Sequence, residues 1–241
     1  MNPMFKAITE INLSLLFPKI CETCEELLPA RDEMGVCQNC VAKVKKISPP
    51  FCPACGRTSA APNKRCGQCH REPFHFERAY AVLYYEGKTR RLLQAFKFRE
   101  RKRLKKFFTD LLLEFLSNHL DISDFDILVS VPMDAQKENH RGFNQARLLC
   151  KQIAKKTSRD DFSACFIKKK SRKTQSLLTR SQRAKNIAGT FFVKKPGAFS
   201  GKKILLIDDI LTTGFTASEC AKTLKKDGAV SVTLLAAARG L

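Results

Sequence analysis

Apolar and polar positions along most of the chain follow two periods, one typical of strands and one of helices. After residue 73, short β-branch-rich apolar runs alternate with longer segments whose apolar residues recur at helical spacing. The predicted strands are residues 79–85, 126–132, 203–209 and 229–238. The predicted helices are residues 88–98, 103–120 and 143–157. Because such alternation is typical of parallel sheets covered by helices, we predict an α/β domain.

One strand, Ile204 to Ile207, leads two adjacent carboxylates into a loop of small residues, in the sequence ILLIDDILTTGFTASECA. Asp208 and Asp209 follow the apolar run, and we expect them to be exposed at the strand end, at the edge where open α/β sheets bind ligands. Thr212 to Thr216 then lead into a predicted helix, whose free N–H groups and dipole favour a phosphate. Carboxylates that accept hydroxyl groups beside a phosphate site predict a ribose 5-phosphate ligand. A capped helix with solvated aspartates is the alternative.

Eight of the eleven cysteines form four C-x-x-C pairs near the start of the chain. They are Cys21, Cys24, Cys37, Cys40, Cys52, Cys55, Cys66 and Cys69. In a reducing compartment such pairs predict metal ligation rather than disulfides. Since two pairs complete one tetrahedral site, we expect two structural zinc ions, with the cysteines paired in chain order. A cross-braced pairing and an iron–sulfur cluster stay open from spacing alone.

The second half of this cysteine-rich region carries the stronger signal. Gly56 follows Cys55 and Gly67 follows Cys66, and glycine permits the positive φ or close backbone approach that a metal-binding turn needs. The first half, with CETCE and CQNCV, lacks a following glycine, so the second site is predicted to be the more robust. Zinc removal is expected to unfold residues 20–72 and to spare the larger domain.

Three segments resemble a known family. IDDILTTGFT (207–216) is similar to the phosphoribosyl-pyrophosphate (PRPP) signature of type I phosphoribosyltransferases, and the match continues through VPMDAQKENHRGFNQA (131–146) and KTQSLLTRSQRAKN (173–186). Together with its cysteine-rich start, the chain resembles the ComF family of competence proteins. The resemblance implies a type I phosphoribosyltransferase-like parallel sheet over residues 74–241. It also implies a small zinc-ribbon domain with an N-terminal helix over residues 1–73.

The resemblance also implies roles for particular residues. Asp208 and Asp209 would hold the ribose hydroxyls and, in a catalytic site, stabilise positive charge on the sugar. The 5-phosphate would bind at Thr212, Thr213, Gly214, Phe215 and Thr216. The pyrophosphate would bind at Arg141, Gly142, Asn144 and Gln145, although a solvated connection capped by Asn144 is the alternative there. A closing loop would contribute Thr174, Gln175, Arg180, Arg183 and Asn186. Mg²⁺ is expected with PRPP, because it prefers phosphate oxygens and water to an all-protein cage.

The net charge of +21 is concentrated in two windows. Residues 88–106 hold ten Lys and Arg against one Glu, and residues 155–195 hold thirteen against two Asp. This concentration predicts an anionic partner, with solvated lysine-rich faces as the alternative. We expect single-stranded DNA, bound with little base preference along residues 88–106 and the cysteine-rich region. An aromatic side chain left exposed there could stack a base.

The start of the chain and its hydropathy predict where the protein acts. No apolar run approaches the about 20 residues needed to span a bilayer. The first residues carry Glu10 and no small-residue cleavage site, unlike a signal peptide. We therefore expect a cytoplasmic protein that is not an integral membrane protein, with peripheral association at the inner membrane left open.

The resemblance implies a protein of natural transformation that handles single-stranded DNA and carries a PRPP or ribose-phosphate pocket. The DNA-uptake machinery or a DNA helicase would be a further partner. One alternative is an active phosphoribosyltransferase of nucleobase or nucleotide metabolism with an unidentified acceptor, and another is a non-catalytic PRPP sensor. The predicted α/β pattern ends at AAARGL, so a base-selecting hood is expected from residues 76–106 and the cysteine-rich region.

Overall fold

The computed structural model describes residues 18–62, 64–67, 69, 74–98, 103–169 and 187–240. Its strands are β1 Arg78–Tyr84, β2 Ile127–Ser130, β3 Asp160–Asp161, β4 Phe166–Lys168, β5 Phe191–Val193, β6 Lys203–Leu211 and β7 Ser231–Arg239. Five of them form one sheet in the order β1-β7-β6-β2-β3, in which all neighbours are parallel. This sheet confirms the predicted α/β class. The β4 and β5 strands, which the sequence pattern did not predict, form a separate antiparallel pair.

The helices are α1 Gln38–Ala42, α2 Gly87–Ala95, α3 Leu104–His119, α4 Ala135–Arg141, α5 Gln145–Thr157 and α6 Phe215–Lys226. All but α1, which lies in the cysteine-rich region, connect the parallel strands, largely as predicted. The predicted N-terminal helix lies outside the described residues. The domain boundary at residue 73 stays a prediction.

Alternate side chains of β6 pack into two separate cores. Leu205 and Ile207 join the cluster formed with α3 and α5, whereas Ile204 and Leu206 join the cluster formed with α6. All four side chains are fully buried. A strand covered on both faces has no polar side to alternate with, which explains its uninterrupted apolar run.

The connection that follows β2 contains a helix, α4, where a loop was expected. The Asp134 side chain accepts a hydrogen bond from the Gln136 backbone N–H at 3.0 Å, and Gly142, at φ +79°, follows the last helical residue. None of the α4 residues is buried. Without an apolar stripe, the segment AQKENHR has no periodicity that distinguishes a helix from a loop.

The first cysteine-rich segment packs directly on the α/β domain. One buried cluster contains Cys21, Val36, Cys40, Leu83 and Leu104. Backbone hydrogen bonds add to this contact, since the Ile47 N–H donates to the Val82 carbonyl at 2.8 Å and the Tyr84 N–H donates to the Lys45 carbonyl at 3.0 Å. This shared core is at odds with the expectation that zinc removal would spare the larger domain.

Candidate ligand site and metal centres

A cavity of about 230 Å³ lies at the carboxyl end of the parallel sheet. It brings together the end of β6, the start of α6 and the connection from β2 to α5. The predicted site residues that line it are Asp208, Asp209, Thr212, Gly214, Thr216, Arg141 and Asn144. Two sequence segments that are about 70 residues apart therefore meet at the edge of the sheet where ligands bind.

The adjacent carboxylates Asp208 and Asp209 lie in different environments, because Asp208 is buried whereas Asp209 is half-buried. β6 continues beyond its apolar run to Leu211, and Asp208 still pairs with Ala236 of β7. Asp208 is 9 % exposed, so the expectation of exposed carboxylates is wrong for this residue. Burial, followed by the charge of Asp209, raises the pKa of Asp208 well above its ordinary value. The carboxylate oxygens of this pair can accept hydrogen bonds from ribose hydroxyls.

The loop between β6 and α6 presents backbone N–H groups at the start of a helix. Gly214 precedes α6 with φ +86°, and a methyl group on it would lie 2.9 Å from Cε1 of Phe74. Both facts favour glycine here. Because the first N–H groups of a helix have no acceptor within it, this geometry suits a phosphate. Phe74 reaches the loop from the N-terminal side of the chain, from which the hood is expected.

Arg141 and Asn144 represent the RGFNQ motif in the cavity. Arg141 is the last residue of α4, where it can meet an anion. Asn144 caps α5: its Oδ1 accepts from the Arg147 N–H at 3.4 Å, and its Nδ2 donates to the Val131 carbonyl at 3.0 Å. Asn144 therefore has the capping role that was the alternative for this residue. Its two hydrogen bonds fix the short connection that follows Arg141.

Four predicted ligand residues are not among the described residues that line the cavity: Gly142, Gln145, Thr213 and Phe215. Gln145 is fully buried, and its Nε2 donates to the Phe96 carbonyl at 3.4 Å. The side chain therefore supports the packing of α5 on the end of α2. The assignment of these four residues to a ligand stays a prediction.

Sequence reasoning missed two charged residues of the cavity, Asp134 and Lys168. Lys168 ends β4, and a backbone bridge joins it to Asp134. Burial lowers the pKa of its ammonium group. In a run of three lysines nothing distinguishes Lys168, but strand alternation from the buried Phe166 would have placed it on the inner face.

The eight paired cysteines form two tetrads in chain order, as predicted. Tetrad 1 is Cys21, Cys24, Cys37 and Cys40, and tetrad 2 is Cys52, Cys55, Cys66 and Cys69. Within each tetrad the sulfur atoms lie within 4.8 Å of one another. Four sulfurs at ~2.3 Å from a tetrahedral zinc ion would be about 3.8 Å apart, close to the 3.6 Å between Cys24 and Cys37 and between Cys55 and Cys66. The donor sets fit two closed, structural zinc sites.

Known proteins resemble both parts of the chain. The double zinc ribbon domain matches residues 12–70, and the phosphoribosyl transferase domain matches residues 140–240. The DNA utilization protein YhgH of Salmonella typhimurium is 30% identical over 224 residues, which cover 90% of this chain and 96% of that protein. Competence protein ComFC of Bacillus subtilis is 29% identical over 214 residues (86% and 84%), and competence protein F of Haemophilus influenzae is 26% identical over 215 residues (85% and 90%). This chain belongs to the ComF family.

The two zinc ribbons of this ComF-family protein use the same turn at their first cysteine pair. The Cys21 N–H donates to the Glu26 carbonyl at 2.9 Å, and the Cys52 N–H donates to the Arg57 carbonyl at 2.7 Å. Glu25 has φ +62° and Gly56 has φ +68°. Tetrad 1 therefore adopts the positive-φ turn without glycine, and the missing glycine does not signal a different site.

The two turns of the ComF-family protein predict opposite effects of exchanging the turn residue. Gly56→Ala is expected to destabilise the protein by about 2 kcal/mol or more, because the new Cβ would lie 2.4 Å from the Ala79 carbonyl oxygen and 2.7 Å from the Tyr80 Cα. Glu25→Gly is the matched change and should stabilise by up to about 1 kcal/mol, because glycine relieves a strained φ. Urea unfolding of the zinc-loaded protein measures both changes in stability. Unchanged midpoints would contradict the assignment of the same positive-φ turn to both ribbons.

No helix in the described part of this ComF-family protein is long and apolar enough to cross a membrane. The residues assigned to a closing loop lie outside the described residues: Thr174, Gln175, Arg180, Arg183 and Asn186. Their assignment stays a prediction.

Proposed function

We propose that this protein handles incoming single-stranded DNA in natural transformation and binds PRPP or a related phosphoribosyl ligand in the cavity. The observation that carries the ligand assignment is the convergence of the Asp208–Asp209 pair and the start of α6 on one cavity. The names of the relatives, which refer to competence and to DNA utilization, support the role in transformation.

The ligand would lie with its ribose hydroxyls toward the carboxylates and its 5-phosphate at the start of α6. The cations of Arg141, Lys137 and Lys168 line the same cavity and would balance a pyrophosphate group. Mg²⁺ would be bound largely by the phosphate oxygens of the ligand and by water. In a turnover reaction, the carboxylates would stabilise positive charge that develops on the sugar as pyrophosphate leaves.

Residues 88–106 and the cysteine-rich region form the proposed contact with single-stranded DNA, and of these, residues 99–102 lie outside the described part of the chain. Arg90 and Arg91 are exposed on α2, and Phe98 is 63 % exposed just beyond it. Phe96, Phe107 and Phe108 lie in the core instead, so Phe98 is the exposed phenylalanine in the described part of this surface and could stack a base. The Lys88 ammonium group donates to the Cys40 sulfur at 2.9 Å, so it is not counted among the proposed DNA contacts.

The DNA surface predicts two separable losses of affinity for an unstructured oligonucleotide. Phe98→Ala removes a stacking platform and should cost about 1–3 kcal/mol, or roughly 5- to 150-fold. Arg90→Glu with Arg91→Glu should weaken binding of all sequences alike and flatten the salt dependence, because each lost phosphate contact changes the log–log slope by about 0.7. Fluorescence anisotropy over a salt series measures both.

Matched controls lie elsewhere on the protein. Phe192→Ala changes another exposed phenylalanine, and Lys203→Glu with Lys226→Glu reverses two charges at the opposite end of the sheet. Both controls should leave DNA affinity within about twofold of the wild type. Equal losses in controls and test variants, or no affinity of the wild type for single strands at low salt, would defeat the proposal.

An active phosphoribosyltransferase is the second candidate, favoured by the presence of both carboxylates and the phosphate loop in one cavity. Incubation of the zinc-loaded protein with PRPP, Mg²⁺ and a mixture of nucleobases separates the two. Release of pyrophosphate that depends on a base identifies an enzyme. Binding of PRPP without consumption supports the DNA-handling protein or a PRPP sensor, which the DNA measurements then distinguish.

The cellular setting belongs to the same proposal. The protein would act in the cytoplasm, at the inner face of the membrane where DNA enters, without inserting into the bilayer. The DNA-uptake machinery or a DNA helicase would receive or deliver the strand. Cell fractionation before and after competence induction tests this placement, and a protein found outside the cytoplasm would contradict it.

A further inference from the structure

Tetrad 2 and the phosphate loop are linked by two side chains that the proposed function does not use. The first is Arg239, the last residue of β7, which is 5 % exposed. Its Nη1 donates to the Cys55 carbonyl at 2.7 Å, and within the described residues its Nε has no acceptor. A buried guanidinium with an unpaired donor is costly unless negative charge lies nearby.

Loaded tetrad 2 supplies that negative charge. Four thiolates around one Zn²⁺ carry a net charge of about −2. Arg57, two residues after Cys55, carries a second guanidinium whose Nε is also buried without an acceptor among the described residues. These two guanidinium groups would balance the charge of a zinc tetrathiolate, and zinc loss would remove this compensation.

The backbone that carries Arg239 lies beside the phosphate loop. Arg239 pairs with Leu211 across the sheet, and the Gly240 N–H donates to the Leu211 carbonyl at 2.9 Å. A methyl group on Gly240 would lie 3.4 Å from Cγ2 of Thr212, the first residue of the loop. A shift of Arg239 would therefore be passed to Thr212 through Leu211, its partner on β6, and through Gly240, which follows it on the chain.

Phe74 forms the second link. Its ring packs against the buried cysteines of tetrad 2 and stacks on Phe76 with centroids 4.8 Å apart and an angle of 14° between the rings. The same ring lies against Gly214, where α6 begins. One aromatic side chain thus contacts both the zinc ribbon and the helix start that would hold a phosphate.

Tetrad 1 has a corresponding cation but no such route to the cavity. Lys88 donates to the Cys40 sulfur at 2.9 Å from α2. Lys88 lies in the first turn of α2, whereas Arg239 pairs with Leu211, the residue before Thr212. The chain therefore provides its own control for a cation that contacts a zinc site without contacting the loop.

We propose that Arg239 and Phe74 couple tetrad 2 to the phosphate loop, so that zinc and a phosphoribosyl ligand strengthen each other's binding. The inference rests on the proposed phosphoribosyl site. Neither residue would touch the ligand, and both are positioning residues. Because the coupling of two binding sites is reciprocal, a ligand that binds better when zinc is present must also slow or oppose zinc loss.

Zinc release from the full-length protein tests the coupling. A chromogenic chelator reports the release of each ion, with and without saturating ribose 5-phosphate, which replaces PRPP because a pyrophosphate would itself bind zinc. In the wild type, ribose 5-phosphate should slow one of two release phases by about 5-fold or more, the lower end of usual coupling. Arg239→Met should abolish this slowing and weaken ribose 5-phosphate by a similar factor. Lys88→Met should change neither.

A second variant covers the case in which Arg239→Met does not fold. Phe74→Leu keeps an apolar side chain against the cysteines but removes the ring from Gly214, so it should keep both zinc ions and still lose the coupling. Ribose 5-phosphate that binds the wild type without changing either release phase would overturn the inference alone. A zinc-loaded wild type that does not bind ribose 5-phosphate would overturn the proposed function, and the inference with it.

Discussion

Replacing Asp208 and Asp209 together with asparagine is expected to weaken PRPP binding at least a hundredfold while the protein stays folded. Each carboxylate would accept a hydrogen bond from a ribose hydroxyl, and hydrogen bonds to charged groups contribute about 1.5–3 kcal/mol each. Two such losses amount to roughly 3–6 kcal/mol, and each 1.4 kcal/mol is about tenfold in the dissociation constant. Calorimetric titration with PRPP and Mg²⁺ measures the change.

Unfolding measurements separate a binding role from a structural one, because Asp208→Asn should not destabilise the chain at neutral pH. Burial and the charge of Asp209 raise the pKa of Asp208 in the folded state. A group with a raised folded-state pKa contributes stability that is fully present below its unfolded value, here 3.8, and lost as pH rises through the folded value. As the pH rises from 3.8 through the folded-state pKa of Asp208, the free energy of unfolding should therefore fall more in the wild type than in Asp208→Asn.

Asp160→Asn is the matched control, since Asp160 is an exposed carboxylate on β3. It should leave PRPP affinity unchanged. PRPP affinity that survives the double substitution would remove the ligand assignment. A wild type whose stability does not fall with pH relative to Asp208→Asn would contradict the burial of that carboxylate.

Zinc removal is expected to destabilise the whole chain, with a fall of at least about 10 °C in the unfolding midpoint. Structural zinc contributes about 10–16 kcal/mol of apparent binding free energy in small zinc domains, comparable to the total stability of a domain. Cys21 and Cys40 share a buried cluster with residues of β1 and α3. The loss should therefore reach the α/β domain as well as the ribbons. Circular dichroism during chelation follows the helices of the α/β domain, and zinc analysis of the same samples gives the metal content at each point.

Single cysteine variants divide this effect between the two ions. Cys24→Ser and Cys52→Ser should each leave one zinc per chain. The zinc of tetrad 1 should be lost more readily than the zinc of tetrad 2, because Cys24 is exposed whereas Cys52 is buried. Cys165→Ser, outside both tetrads, is the control and should keep two. Helical signal that survives complete chelation would show that the α/β domain is independent, as the sequence alone had suggested.

The sequence predicted the elements whose side chains have one dominant environment. The apolar run of β6 and the C-x-x-C pairs are such cases, since burial on both faces or a shared metal leaves a clear pattern. The α4 helix was missed because its residues are solvated, and Lys168 was missed because the strand that carries it, β4, was not predicted. Asp208 was expected at the surface because the apolar run ends before it, yet β6 continues through it to Leu211. Pattern alone does not reveal where hydrogen-bonded pairing stops.

The pairing of residues 45–47 with β1 also bears on how the protein avoids self-association. A parallel sheet has two edge strands, and an uncovered edge invites a strand from another molecule. At one edge, β3 is two residues long and both are aspartates, which discourages strand addition. At the other, the segment after tetrad 1 covers β1 through hydrogen bonds to Val82 and Tyr84. A fragment that begins at residue 74 would expose this edge and is expected to aggregate, so the segment between the two tetrads would also protect the sheet against misassembly.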